Sequence, residues 1–129
     1  MVINLSYVAL GGAVGASLRY LLGYWIVRLF GFGGWQGVPI AIVTVNVLGS
    51  FLMGVFVVLA ANRGLPHFSP LIMVGLLGGF TTFSAFSLET VTLIERGEFS
   101  LAAAYVALSV VGSVGALMLG LYVARGVLT

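Results

Sequence analysis

Four apolar runs, each long enough to cross a bilayer, leave this chain little choice of solvent other than lipid. A spanning helix needs about 20 mostly apolar residues, and such runs cover roughly Leu5 to Val27, Ile40 to Ala61, Phe68 to Ile94 and Leu101 to Val123. Only 6% of the 129 residues are charged, and 61% are hydrophobic, against a soluble norm of about a quarter charged. The mean hydropathy of +1.24 says the same. No Lys, Asp or Cys is present, which removes disulfide-stapled classes. Five Arg against three Glu give a net charge of +2, too few charges for a nucleic-acid footprint, so no nucleic-acid partner is expected. The first apolar run has neither a basic segment before it nor a small-residue cleavage site after it, and is expected to be retained as a span. The fold class predicted is all-α integral membrane: one four-span domain over residues 1–129.

Breakers separate the runs. Gly31-Phe32-Gly33-Gly34-Trp35-Gln36-Gly37-Val38-Pro39 is a glycine-rich turn with aromatics suited to the membrane interface. Asn62-Arg63-Gly64-Leu65-Pro66-His67 is short and polar, and the last connection is little more than Glu95-Arg96-Gly97-Glu98. Connections this short favour antiparallel packing of neighbours. Four spans put both termini on one side. That side carries Arg63 and Arg125, and the other carries Arg28 and Arg96, with Arg19 inside the first span nearer the second face. The positive-inside rule therefore gives almost no bias. A chain of 13.5 kDa has little room for a pore of its own, and the expectation is an antiparallel, dual-topology homodimer.

Nineteen glycines are about twice the usual share. Gly11 with Gly15, Gly12 with Ala16, Ser50 with Gly54, and Gly112 with Ala116 and Gly120 fall at the four-residue spacing that lets membrane helices approach closely. Most of this pattern is packing.

The few polar groups at membrane depth are costly and are therefore candidates for function. Arg19 either snorkels to the interface or orients an anion and ties helices together. Asn46 lies mid-span with Gly49 and Ser50 on the same face, and its amide donates two hydrogen bonds. In the third span, Gly78 and Gly79 beside Thr81 and Thr82 predict a helix break near Gly78–Thr82. A break at this depth frees carbonyls and amides that protein, water or an ion must satisfy; the carbonyls suit a cation and the following helix start suits an anion. Phe83 and Phe86 share a face beyond it, flanked by the hydroxyls of Thr82, Ser84 and Ser87. In the fourth span Tyr105, Ser109 and Ser113 form a hydroxyl stripe at steps of four. Neutral donors and the positive edges of aromatic rings describe a path for an anion rather than a cation.

These residues resemble the Fluc family of small bacterial fluoride channels over essentially the whole chain. The resemblance is carried by Gly15-Ala16-Ser17-Leu18-Arg19, Thr44-Val45-Asn46, Gly112-Ser113 and, most specifically, Gly78-Gly79-Phe80-Thr81-Thr82-Phe83-Ser84-Ala85-Phe86-Ser87-Leu88-Glu89. It implies a fluoride-selective channel of the bacterial inner membrane, built as an antiparallel dual-topology homodimer with two pores and a central structural sodium ion. Phe83 and Phe86 would turn ring edges to fluoride and Asn46 would donate to it. Ser109 and Ser113, with Tyr105, Thr82 and Ser84, would continue the track. Glu89 would sit near its outer end, Arg19 would line an anion-attracting vestibule, and Gly78 and Thr81 would offer backbone carbonyls to sodium. One departure is Ala41-Ile42, where family members often carry Gly-Thr; Ile42 removes a hydroxyl from the track.

The rival reading is a small four-span dual-topology transporter exchanging protons for hydrophobic cations. It needs a carboxylate buried in the bundle, and Glu89 alone is available. An intramembrane enzyme is not expected, since His67 is the sole His and no nucleophile–base or metal spacing can be assembled. A purely structural subunit would show itself by a larger partner.

Overall fold

The computed structural model describes residues 1–31 and 34–128, so Phe32 and Gly33 of the first connection lie outside the described residues. Lipid satisfies no backbone group, so a spanning chain satisfies its own within helices. Four helices here are long and apolar enough to cross a membrane, Val2–Phe30, Ile40–Arg63, Pro66–Glu95 and Phe99–Leu128, and no named strand occurs among the described residues. Each runs a few residues beyond its apolar stretch, as helices do where flanking polar residues reach the interface.

The first and second spans are continuous: α1 (Val2–Phe30) and α2 (Ile40–Arg63). Gly64 ends α2 in the left-handed region, φ 66° and ψ 40°, a conformation that costs glycine nothing. Between α1 and α2, Trp35 and Val38 exchange backbone hydrogen bonds of 3.1 and 3.0 Å, and the exposed Trp35 ring suits the headgroup level. The fourth span is one helix, α5 (Phe99–Leu128).

The third span is composite. A 3₁₀ turn over Pro66–Phe68 leads into a π-wound stretch, Pro70–Leu77, a rare winding that tends to occur at functional sites. A single α-helical turn, α3 (Gly78–Phe80), follows. The chain is then extended at Thr81 (φ −85°, ψ 159°) and Thr82 (φ −151°, ψ 124°) before α4 (Phe83–Glu95) resumes. The break thus sits on the two threonines, not on the glycine pair beside them. β-branched side chains favour extended backbone, whereas Gly79 serves packing: a Cβ on it would lie 2.9 Å from the Gly12 carbonyl oxygen.

Packing pairs the spans. α2 runs along α5, and α1 runs along the π-wound stretch and α3, while α4 rests on α5. Small residues make both long contacts possible. A Cβ on Gly11 or Gly15 would strike the backbone at Leu71 or Leu76, and one on Gly54 or Gly120 would strike it at Leu117 or Phe51. Gly112 meets only the Val47 side chain, at 3.2 Å. A small apolar core of Val43, Leu93, Ala102 and the fully buried Tyr105 ties α2, α4 and α5 together. Ile42, the departure noted above, packs against this core.

Gly15→Val forces α1 away from the third-span backbone and should lower stability by about 1–3 kcal/mol, the usual cost of overpacking. Gly126→Ala, where a Cβ meets nothing within 4 Å, should leave stability unchanged. Thermal unfolding in detergent measures both.

Candidate functional site

The site is built on the break. An extended residue presents its own N–H and C=O on the same edge, as in a β-strand, and Thr82 does so toward α2. Asn46 meets both groups: its Nδ2 donates to the Thr82 carbonyl at 2.9 Å, and the Thr82 N–H donates to its Oδ1 at 2.8 Å. The reverse amide orientation would set two donors against each other, which fixes the assignment. Thr82 also caps α4, its Oγ1 accepting from the Ala85 N–H at 3.2 Å, and lies 3.3 Å from the Ser84 hydroxyl. A polar backbone at membrane depth is tolerated only with such partners.

Following the bonds through the break shows which carbonyls it releases. In an unbroken helix the Gly78 carbonyl would accept from Thr82 N–H and the Thr81 carbonyl from Ala85 N–H. Both donors are diverted, the first to Asn46 and the second to the Thr82 hydroxyl. The Gly79 carbonyl accepts from Arg19 Nε at 3.2 Å, so Arg19 ties α1 to α3. The carbonyls named for a cation, those of Gly78 and Thr81, are therefore among those deprived of helical donors, and hard oxygen ligands of this kind fit a hard cation. Gly78 is exposed and Thr81 half-buried, which leaves them open to a ligand.

A cavity of about 320 Å³ opens against the break. It brings together Asn46, Thr81, Thr82, Phe83, Phe86, Ser109 and Ser113, with Ser50, Gly49 and Met53 from α2. No carboxylate lines it. The rings form a tilted series: Phe83 to Phe86 at 5.5 Å between centroids, and Phe86 to Tyr105 at 5.4 Å. The series leads from an exposed ring, Phe83 at 78%, to a fully buried one, Tyr105 at 0%. Beside it, the buried hydroxyls of Tyr105 and Ser109, one turn apart on α5, meet no hydrogen-bond partner among the described residues beyond each other. Buried polar atoms are nearly always satisfied, and two hydroxyls left to each other in this way mark a place where a ligand or water belongs.

Arg19 and Glu89 are elsewhere. They line a second cavity of about 670 Å³ with Tyr20, Tyr24, Arg28 and Ile42. Tyr105 and Ser84, both expected along the track, line neither cavity: Tyr105 packs in the core against Phe86, and Ser84 touches Thr82. Ser87, a member of the expected polar seam, spends its hydroxyl on the Phe83 carbonyl at 3.0 Å. Sequence reasoning missed Arg28, which donates to Tyr24 Oη at 2.9 Å; the four-residue spacing of the two on α1 was the available signal. Asn46, open in the sequence to either an interhelical hydrogen bond or donation to an ion, commits one N–H and its carbonyl to Thr82 and keeps its other N–H. Nothing in the spacing pairs position 46 with position 82.

Four apolar spans around an interrupted third helix, with an internal polar path free of carboxylates, define a small multi-pass membrane protein of the ion-conducting kind. Residues 6–121 match the family described as CrcB-like protein, Camphor Resistance (CrcB), and the chain belongs to that family. A relative from Roseobacter denitrificans, named fluoride-specific ion channel FluC, is 66% identical over 124 residues, 96% of this chain and 97% of its own. Relatives of the same name from a Ruegeria species and from Agrobacterium fabrum are 58% and 44% identical, the first over 100% of both chains and the second over 95% of this chain and 97% of its own.

Removing either of these hydroxyls should cost the fold little. Tyr105→Phe and Ser109→Ala each delete a desolvated hydroxyl that has only the other for company and should change stability by no more than about 1 kcal/mol, read as the unfolding midpoint in detergent.

Proposed function

We propose that this protein is a fluoride-selective channel through which fluoride leaves the cytoplasm passively, and that it works as an antiparallel, dual-topology homodimer with two pores. The observation that carries the reading is the cavity at the break, lined by the Phe83 and Phe86 rings, the Asn46 amide and the hydroxyls of Thr82, Ser109 and Ser113, and by no carboxylate. Fluoride is small and strongly hydrated, so its path must replace lost water contacts with donors while repelling nothing. Ser109, Ser113 and Tyr105 supply hydroxyls, Asn46 keeps one N–H, and Thr82 and Ser84 add a shared hydroxyl pair. Phe83 and Phe86 add the positive edges of their rings. The names of the full-length relatives agree with this substrate.

The dimer is supported by exposure on this side of the bundle. The Phe83 ring is left open at the cavity mouth, and a second, inverted copy would cover it and complete each pore. The nearly balanced arginines on the two faces permit both insertions. Gly78 and Thr81 would hold a sodium ion at the centre, two carbonyls from each copy, and the bound ion would satisfy carbonyls that the break strips of their donors. Arg19 lies in the second cavity with Arg28, where two guanidinium groups against the single Glu89 carboxylate make a net positive vestibule that concentrates anions. The cation-transporter reading gains nothing from this arrangement, because Glu89 is in the vestibule and not in the cavity at the break.

Proteoliposomes loaded with fluoride should release it, as read by a fluoride electrode, with chloride release at background; equal release of both would reject the assignment. Phe83→Ile and Phe86→Ile should each slow release about tenfold, the upper end of an aromatic-edge interaction. Unaltered release would show that the rings only pack. Replacing sodium by a bulky organic cation should also slow release, the sodium sites being empty.

A further inference from the structure

The pairing of Asn46 with Thr82 does more than satisfy an amide. We propose that Asn46 is a positioning residue that holds the third-span break open and so keeps the Gly78 carbonyl free for the central cation, coupling the fluoride cavity to that site; the proposal rests on the channel reading above.

The argument is one of competition for a single donor. The Thr82 N–H has two acceptors within reach of some backbone conformation. One is the Gly78 carbonyl, reached if Thr81 and Thr82 turn helical and join α3 to α4. The other is Asn46 Oδ1, reached at 2.8 Å when Thr82 is extended. The carboxamide takes both edges of Thr82, giving and receiving one bond. A helical Thr82 would turn its N–H and C=O in opposite directions along the axis, so this two-point contact selects the extended form. At membrane depth no water competes for these groups, which makes the choice between acceptors a sharp one. Each time Asn46 lets go, the donor is available to Gly78, and the carbonyl lost to the helix is lost to the cation.

Three further contacts point the same way. Arg19 donates to the Gly79 carbonyl, which leaves that oxygen satisfied without the Phe83 N–H that a continuous helix would supply. The Thr82 hydroxyl takes the Ala85 N–H that would otherwise close on Thr81. Gly49 is one turn from Asn46, and a Cβ there would strike the Thr81 methyl, so α2 approaches the break closely enough for the carboxamide to reach. Asn46 also lines the cavity with Phe83 and Phe86. One side chain therefore contacts the ion path and sets the backbone that would face the cation.

The sequence supplies a probe. Thr81–Thr82 is the only Thr–Thr peptide in the chain, so threonine labelled with ¹³C at the carbonyl and ¹⁵N at the amide gives a single Thr81 carbonyl–Thr82 amide correlation by NMR. Full-length protein in lipid nanodiscs is titrated with sodium against N-methylglucamine at constant ionic strength. In the native protein the correlation should shift and saturate. Asn46→Asp, titrated at a pH where it is the neutral acid, keeps the acceptor for Thr82 N–H and a donor for the Thr82 carbonyl and should retain the titration within about twofold. Asn46→Leu removes both bonds and should move the Thr82 amide proton and raise the half-saturating sodium concentration about tenfold, the scale of losing a buried hydrogen bond.

Three results overturn the proposal: a native correlation that ignores sodium, an Asn46→Leu titration like the native one, or loss of the response in Asn46→Asp. Should Asn46→Leu fail to fold, Asn46→Ser takes its place, its hydroxyl being too short to reach Thr82. The readout does not depend on transport, so a failed channel assignment appears in the flux assay and a failed clamp appears here.

Discussion

Lipid offers an interrupted helix nothing to hydrogen-bond with, and the exchange of two hydrogen bonds between Asn46 and the Thr82 backbone is what makes the interruption affordable here. An unsatisfied backbone group in hydrocarbon costs several kcal/mol, more than any nearby side-chain contact returns. The features around the break follow from that pairing. With Thr82 extended, its hydroxyl is placed to cap α4, α4 starts at Phe83, and Phe83 and Phe86 stand on one face of the new helix against the cavity. A continuous helix through this segment would close the Gly78 carbonyl and carry the rings to a different azimuth.

The other half of the span is held from the opposite direction. α1 lies so close to it that glycines at 11, 15, 75 and 79 touch backbone rather than side chains, and Arg19 reaches across to the Gly79 carbonyl. The π winding from Pro70 to Leu77 belongs to this half as well. Its looser turn adds residues to the span without lengthening it in proportion. The break is thus a junction between two packed groups, α1 with the π-wound stretch and α3 on one side, and α2 with α5 and α4 on the other. Asn46 is the polar link between them, and Gly49 is the steric allowance that lets it act.

The four spans were legible in the sequence because hydropathy at that length has one physical meaning. The existence of a break was also legible, from glycines and threonines together at membrane depth. Its position was legible to within Gly78–Thr82, but not which of those residues leave the helix. Glycine is the usual suspect for a broken helix, yet a glycine facing another helix at small-residue spacing serves close approach just as well, and Gly79 is used that way. Deciding between these uses requires knowing which face meets α1, and no local pattern contains that. The same limit applies to Asn46, which the sequence marked as a polar group needing a partner without saying that the partner is a peptide 36 residues away. Arg19 and Glu89 were assigned to one vestibule and do line one cavity, whereas Arg28 beside them was read only as a topogenic charge.

Hydroxyl counting narrows the ion path further. A Ser or Thr in a membrane helix often donates to the carbonyl one turn back, and Thr44, Thr81, Ser87, Thr90 and Thr92 all do so, at 2.7–3.0 Å. Such hydroxyls have given away their only proton and offer an anion nothing but lone pairs. Tyr105 and Ser109 are different: both are buried, and neither hydroxyl meets a partner among the described residues beyond the other. An isolated pair of this kind is a cost to the fold with no structural return. On the channel reading it is also the donor set an ion stripped of water needs, placed where the ring series ends. The stripe of hydroxyls visible in the sequence is therefore not uniform in chemistry. Donors whose protons remain uncommitted sit on α5, across the cavity from Asn46, so an anion there would be held between a helix that supplies hydroxyls and a break that supplies the opening.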